Sequence, residues 1–251
     1  MKQLADSGFQ ARPPAHGPWV MAQTWEHLLF AHWPVAVEEL SKIVPGQLEV
    51  DMIDGSGWIG VVPFGISALH VRGFPPIPGL AAFPEINVRT YVTVGGEPGV
   101  YFFSLDAANA LAVAAARLTY LLPYYHARMS QRFVDGSVTY SSDRRPPVRE
   151  PVVFEARYWP TGPVFNAEPG SLEFGLTERY CLYSVDRAGR VYRARIDHDP
   201  WPLQVAAARF GSNSMAQPTG VKLPNQEPLL HYAERQNVRV WPIRRVRGER
   251  Q

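Results

Sequence analysis

The chain has a single cysteine, Cys181, in 251 residues, so it forms no internal disulfide. That usage fits a reducing, cytoplasmic setting. Lysine is scarce as well: only Lys2, Lys42 and Lys222 occur, and arginine supplies the other basic charges. No apolar run reaches the ~18 residues that a membrane helix needs. The N-terminus lacks the charged start and apolar core of a signal peptide, so no membrane is expected among the partners. There is no phosphate-binding glycine loop ending in Lys-Ser or Lys-Thr and no dinucleotide fingerprint. Gly55-Ser56-Gly57 and Gly170-Ser171 fall short of the Gly-x-Ser-x-Gly elbow of a serine hydrolase. The seven histidines are dispersed, and none stands at helical spacing from another histidine. No metal and no other cofactor is therefore expected. A long-range convergence of His126, His198 and Glu85 is the one metal arrangement left open. Net charge is +2, with scattered basic residues apart from the run Arg239 to Arg250. Without a companion patch or an RNA-binding aromatic motif, that run reads as a solvated tail, and nucleic acid is not an expected partner.

What is present points to a β-rich domain with a sizeable core. Hydrophobic residues make up 46%, and the 24 prolines and 20 glycines cluster into turns and loops. The most telling stretch runs from Gly99 to Met129. Val100–Leu105 is aromatic and β-branched, which suits a strand. Asp106 reads as the N-cap of a helix over 107–121, in which Leu111, Ala114, Ala115 and Leu118 share one face. Pro123 ends that helix. The potential chemical groups Tyr124, Tyr125 and His126 follow the stop.

Elsewhere Met1–Pro18 reads as a loose arm and residues 19–251 as one domain. Trp19–Trp33 has helical or mixed periodicity, and Val35–Ile43 is an expected helix. Strands are expected over 48–51, 58–64, 66–72, 86–94, 132–140, 152–159, 171–185, 190–196 and 238–243. Strong turns fall at Asp54-Gly55 and at Asp186 to Gly189. The Pro-rich segment Phe74–Phe83 reads as a rigid loop, either a pocket mouth or a plain crossover. The order of elements argues for an antiparallel sheet rather than βαβ winding. Cys181, between Tyr180 and Leu182, reads as a buried, inert thiol.

Several strings carry a resemblance. Arg117-Leu-Thr-Tyr-Leu-Leu-Pro123-Tyr124-Tyr125 resembles the acetoacetate decarboxylase segment in which an arginine is followed, six residues on, by Pro-Lys-Lys. Glu38 to Asp51, with its Lys42-Ile43-Val44-Pro45 core, is similar to a second patch of that family. Glu85-Ile-Asn87-Val-Arg89-Thr-Tyr91, Thr177 to Tyr183 and His198-Asp-Pro200-Trp201 resemble an uncharacterised bacterial branch of the superfamily, a domain of unknown function. The branch resemblance covers roughly Trp25 to Trp241. It implies an α+β fold, a mostly antiparallel, barrel-like sheet with a few helices, similar to acetoacetate decarboxylase. It also implies a closed, largely apolar pocket beside the strand from Ile86 and the turn at Tyr124.

The departures from the family bear on chemistry. In acetoacetate decarboxylase the first lysine after the proline forms a Schiff base, activated by its neighbour. Here those positions resemble Tyr124 and Tyr125, and a phenol cannot condense with a ketone. The family's carboxylate-binding arginine lies where this chain has Trp33-Pro34. With one gap, Glu85 falls against one of the family's pocket carboxylates. Asn87, Arg89 and Tyr91 share a strand face by the period of two. The expected catalytic groups are Tyr124, His126 and Glu85; the expected substrate-binding groups are Arg89, Asn87, Arg117 and Trp201. Structural roles compete at each: core packing for Tyr124, a fixed turn for His198 and Trp201, and an ion pair with a carboxylate such as Glu178 for Arg117. Two functions follow. One is an acid/base enzyme, lyase-type or other, on a small carbonyl or carboxylate compound, without Schiff-base chemistry. The other is a non-catalytic binding or sensing protein on the same fold. The expected partner is a small-molecule ligand, and a homo-oligomer stays open.

Overall fold

The computed structural model describes residues 17–146 and 150–246. Its strands are β1 (Met21–Val35), β2 (Glu49–Val50), β3 (Gly57–Val71), β4 (Phe83–Val94), β5 (Glu97–Ala107), β6 (Tyr124–Val134), β7 (Ser137–Arg144), β8 (Val153–Pro160), β9 (Cys181–Val185), β10 (Val191–Asp197), β11 (Leu203–Asn213), β12 (Leu229–Val240) and β13 (Arg244–Arg245). Three α-helices join them: α1 (Val37–Ser41), α2 (Ala110–Tyr120) and α3 (Leu172–Thr177). Among the described residues no helix is long and apolar enough to cross a membrane. The arm expected over Met1–Pro18 lies outside the described residues apart from its last two; there the Gly17 carbonyl accepts a hydrogen bond from Trp241 Nε1 at 2.8 Å.

The sheet closes twice. One circuit runs β12-β1-β3-β4-β5-β9-β10 and returns to β12; the other runs β5-β6-β7-β8-β11-β12 and shares β1, β3 and β4 with the first. The expected barrel-like, mostly antiparallel α+β fold holds, with parallel pairings only where β5 meets β6 and β9. The shared wall is covered on both sides, which explains why Trp58–Phe64 is apolar without alternation. On one side Leu29, Ala31, Trp33, Ile59, Val61, Ile86 and Val88 pack with Val138, Tyr140, Phe154 and Tyr158. On the other side Leu28, Phe30, Val62 and Phe64 pack with Trp201 and Leu203. Tyr91, Val100, Leu105, Leu182 and Val238 extend that second interior.

Several local expectations are corrected, each for an identifiable reason. The central stretch is itself a βαβ unit, because α2 returns the chain to the start of β5's neighbour and β6 then runs parallel to it. Asp106 is not the cap: it is the penultimate residue of β5, and Asn109 Oδ1 accepts from the N–H groups of Leu111 and Ala112 instead. The helix therefore starts three residues later and buries Val113, while Leu111 and Leu118 are 66% and 82% exposed. From Met21 onward the stretch Trp19–Trp33 is strand; a bulge at His27 (φ 53°) breaks the period of two that would have marked it. The strand expected over 132–140 spans a hairpin turn at Asp135-Gly136, whose φ values of 49° and 71° are both left-handed. The strand expected over 171–185 begins as α3, capped by Ser171 Oγ on the Phe174 N–H. Leu172, Phe174 and Leu176 alternate like a strand and concealed that turn. The expected strands 58–64 and 66–72 are one, β3, and the expected strand 238–243 is the end of the longer β12. Cys181 is buried and donates to Glu97 Oε1 at 3.0 Å, and burial pushes its thiol up to about 11.

Gly99 marks the closest backbone approach in the first circuit. A Cβ there would lie 2.6 Å from the Tyr183 ring and 2.8 Å from the Cys181 carbonyl oxygen. The carbonyl belongs to the β9 backbone and cannot rotate away. Gly99→Ala is expected to cost about 1–3 kcal/mol of stability, read as a lowered urea midpoint. An unchanged midpoint would contradict this tight β5–β9 seam.

Candidate functional site

The inward row of β4 gathers the chemistry. Glu85, Asn87, Arg89 and Tyr91 alternate with Ile86, Val88 and Thr90, and all four are 9% exposed or less. Across the sheet they register with Phe64, Val62 and Gly60 of β3 and with Ala107, Leu105 and Phe102 of β5. Tyr124 extends this row because Leu105 pairs with it in the parallel β5–β6 ladder.

Glu85 and Tyr124 form one centre. The Tyr124 hydroxyl donates to Glu85 Oε2 at 3.1 Å, and Tyr140, from the other interior, donates to the Glu85 main-chain oxygen at 2.7 Å. Burial pushes the Glu85 carboxyl up to about 8; the Tyr124 hydrogen bond pulls it down in part, and the nearby Asp106 adds to the rise. Burial, together with the Glu85 charge, holds the Tyr124 phenol well above its usual range. The pair thus has a carboxyl that changes charge near neutral pH beside a phenol that stays protonated.

Arg89 lies at the centre of a second cluster. Its Nε donates to the Tyr91 hydroxyl at 3.3 Å and its Nη2 to the Leu176 carbonyl at 3.4 Å. The guanidinium also stands 5.3 Å from the Phe30 ring and 5.6 Å from the Tyr91 ring. Among the described residues it meets no carboxylate. The Tyr91 hydroxyl shares a 2.6 Å hydrogen bond with His32 Nε2. Burial, then the Arg89 charge, drives the His32 ring well below its usual pKa, so it is neutral. Gly60 makes this possible, because a Cβ there would come within 3.1–3.4 Å of His32 and the Arg89 stem. Arg179 completes the cluster, paired with Asp51 at 2.6 Å and 5.2 Å from the Tyr91 ring.

An aromatic collar adjoins both centres. Trp201 stacks on Trp25 at 5.9 Å and meets Phe30 edge-on at 4.9 Å. The Trp201 main-chain N–H donates to Glu178 Oε1, and His198 packs against the Trp201 ring at 5.1 Å. The indole Nε1 of Trp25 and Trp201, His32 Nδ1, His231 Nδ1 and Asn87 Oδ1 are buried and have no hydrogen-bond partner among the described residues. Such atoms each forgo about 1–3 kcal/mol unless a partner reaches them.

The structure joins Glu85 to Tyr124 and places Asn87, Arg89 and Trp201 in the same interior, but leaves two expected residues outside. His126 is exposed on β6, on the face opposite its buried neighbour Ala127. Arg117 is exposed on α2 and donates to the Tyr124 main-chain oxygen at 2.6 Å, so it holds the turn rather than a carboxylate. Glu178 and Arg179, within the expected strand 171–185, instead follow α3 and are both buried. His32 and Gly60 escaped sequence reasoning: a lone histidine in the apolar run Leu28–Trp33 carries no spacing signal. Lys42 and Lys222 are exposed. Among the described residues no group of three or more histidine, cysteine or acidic side chains is placed to share a metal ion. Two surface clefts, one at Pro34–Glu38 with Met52, Gly55 and Ser56 and one at Gly17–Val20 with Val71–Gly73, include no residue of the β4 row.

Comparison with known proteins agrees with this architecture. The chain is 46% identical over 229 residues to the uncharacterized protein YqjF of Bacillus subtilis (strain 168), covering 91% of this chain and 93% of that one. Its fold is similar to that of the enduracididine biosynthesis enzyme MppR complexed with pyruvate (TM-score 0.65, 12% identity, 92% of each chain). It is also similar to acetoacetate decarboxylase from Legionella pneumophila (TM-score 0.61, 10% identity, 98% of this chain and 96% of that one). The profile of the DUF2071 family, described as an uncharacterized conserved protein, matches residues 22–237, and the chain belongs to that family.

Proposed function

We propose that this protein is an acid/base enzyme acting on a small carbonyl-containing carboxylate, without Schiff-base chemistry. The observation that carries the reading is the buried Glu85 carboxyl, raised to about 8 and hydrogen-bonded to Tyr124. In this reading the ionised Glu85 takes a proton from carbon beside a carbonyl, and the Tyr124 hydroxyl holds the carboxylate in place. Arg89, which meets no carboxylate among the described residues, holds the substrate's anionic end through charge-assisted hydrogen bonds. Asn87 stands between them, its Oδ1 without a hydrogen-bond partner among the described residues. Four residues of strand separate Glu85 from Arg89, about 13 Å between Cα atoms. Arg89 also leans toward Tyr91, away from Glu85. An acid whose carbonyl lies several bonds from its carboxylate therefore suits the row better than pyruvate, the compound bound by MppR.

The test is solvent-proton exchange at carbon beside the carbonyl, followed by proton NMR in D2O with pyruvate and with levulinate. Exchange above the protein-free rate by about 100-fold or more is expected, with levulinate ahead of pyruvate. Arg89→Ala should weaken carboxylate binding by about 10-fold or more and leave neutral ketones unaffected. The collar of Phe30, Trp25 and Trp201 supports a second reading, binding without turnover. Tight binding with no exchange would favour that reading, and neither binding nor exchange would remove both.

A further inference from the structure

We propose that α2 is a self-association surface, and that its occupant is the α2 of a second copy of this chain. The helix carries one charged residue, Arg117, in eleven. A helix that is apolar nearly all round normally lies buried. Yet only Val113 of α2 is buried, and Ala110, Leu111, Ala114, Ala115 and Leu118 are all exposed. Leu111, Ala114, Ala115 and Leu118 form one stripe, continued by Leu121 at 42% exposure. The loop before β4 adds Phe74 at 69% and Ile77 at 59% exposure, and the Asn109 side chain ties that loop to the start of α2 through the Gly79 carbonyl. Exposed apolar side chains of the helix and loop together amount to on the order of 700 Å², close to the ~800 Å² per partner of a standard interface.

The area and the arrangement of the stripe point to a second copy. A two-fold contact between antiparallel helices sets residue i against j and j against i, and here it places the small alanines at the crossing and the exposed leucines on its flanks. With the axis between Ala114 and Ala115, Leu111 of one copy faces Leu118 of the other. The small residues at the crossing let the backbones approach and leave room for the flanking leucines. A lipid surface fits poorly, because membrane-surface helices carry many lysines and arginines on their polar face.

The test combines mass and cross-linking. In native mass spectrometry and light scattering, the full chain is expected to show twice the single-chain mass. Leu118→Glu should return it to the single-chain mass, with its circular dichroism unchanged because Leu118 is 82% exposed. Leu111→Cys combined with Leu118→Cys should give a covalent dimer on mild oxidation. Those two positions lie about 10 Å apart along one helix, too far for a bridge within a copy. Background is low, since Cys181 is buried. A monomeric parent chain, a dimer that survives Leu118→Glu, failure of the cysteine pair to cross-link, or a monomer that instead floats with phospholipid vesicles would each overturn the proposal.

Discussion

Arg144→Met is expected to lower stability by about 3–5 kcal/mol at neutral pH, or to prevent folding altogether. Arg144 reaches from β7 to Asp106 at the end of β5, with its Nε 3.0 and 2.9 Å from the two carboxylate oxygens and its Nη2 2.7 Å from Oδ1. Neither side chain is more than 3% exposed. The guanidinium also lies 4.1 Å from the centre of the Tyr125 ring. Burial raises the Asp106 carboxyl, and the Arg144 hydrogen bonds and charge pull it back. Without Arg144 that second influence disappears, and a carboxylate is left buried with no cation beside it. Its folded pKa then stands further above the unfolded value, so the unfolded chain binds fewer protons than the folded one between the two. The variant loses stability as pH rises through that window, and the deficit against the parent shrinks below the unfolded pKa of about 3.9. Urea unfolding at several pH values reads both effects. Replacing both partners, Asp106→Leu with Arg144→Met, should recover most of the loss, because no charge is then stranded. An Arg144→Met midpoint equal to the parent's would show that the pair does not brace the β5–β7 corner.

Glu85→Gln should abolish the proposed exchange reaction, by about 100- to 10,000-fold, and at the same time stabilise the protein at alkaline pH. The sign of the stability effect follows from the raised carboxyl. Glu85 has a folded pKa of about 8 against an ordinary value of 4.5. Between those values the folded state holds a proton that the unfolded state has released. Stability is therefore fully present below the lower value and falls as pH rises toward the upper one, at about 1.4 kcal/mol per pH unit. The variant has no such proton to lose, so its stability curve over this range should be flatter. Activity runs the opposite way: a carboxylate base gains with pH and levels off above about 8. Tyr124→Phe removes the hydrogen bond that favours the ionised carboxylate, so the rising limb should move to higher pH while folding persists. An exchange rate unaltered by Glu85→Gln would refute the catalytic assignment. A stability curve for Glu85→Gln parallel to the parent's would instead remove the raised carboxyl.

What could be read from residues alone followed local signals that tertiary packing left intact. Asn87, Arg89 and Tyr91 were legible as one face because a strand's period of two survives burial on both sides; Glu85 joins that face because β4 starts at Phe83, earlier than the expected strand. Pro123 was legible as a stop, since its effect on the preceding residue is local. Asp106 was misread because a cap and a strand-end ion pair ask for the same side chain, and Arg144, 38 residues away, decides between them. The stripe on α2 was legible as one face, but spacing reports amphipathicity and not which side meets the sheet. His32 was invisible: it matters through Gly60 and Tyr91, on strands 28 and 59 residues further along. His126 was overvalued because it stands on the face of β6 opposite the buried Ala127.

The two circuits share β12, and β12 pairs with β1 along nearly its whole length, from Met21 with Val240 to His32 with Leu229. A chain emerging from the ribosome therefore cannot close either barrel until the segment near residue 240 has been made. Until then β1 waits without one of its two lateral partners, and Leu28 to Ala31 stay open to wrong pairings. Closure joins residues more than 190 positions apart, the kind of contact that slows folding most. Barrel closure thus waits on the β12 segment, and the growing chain's exposure to aggregation lasts until that segment has emerged.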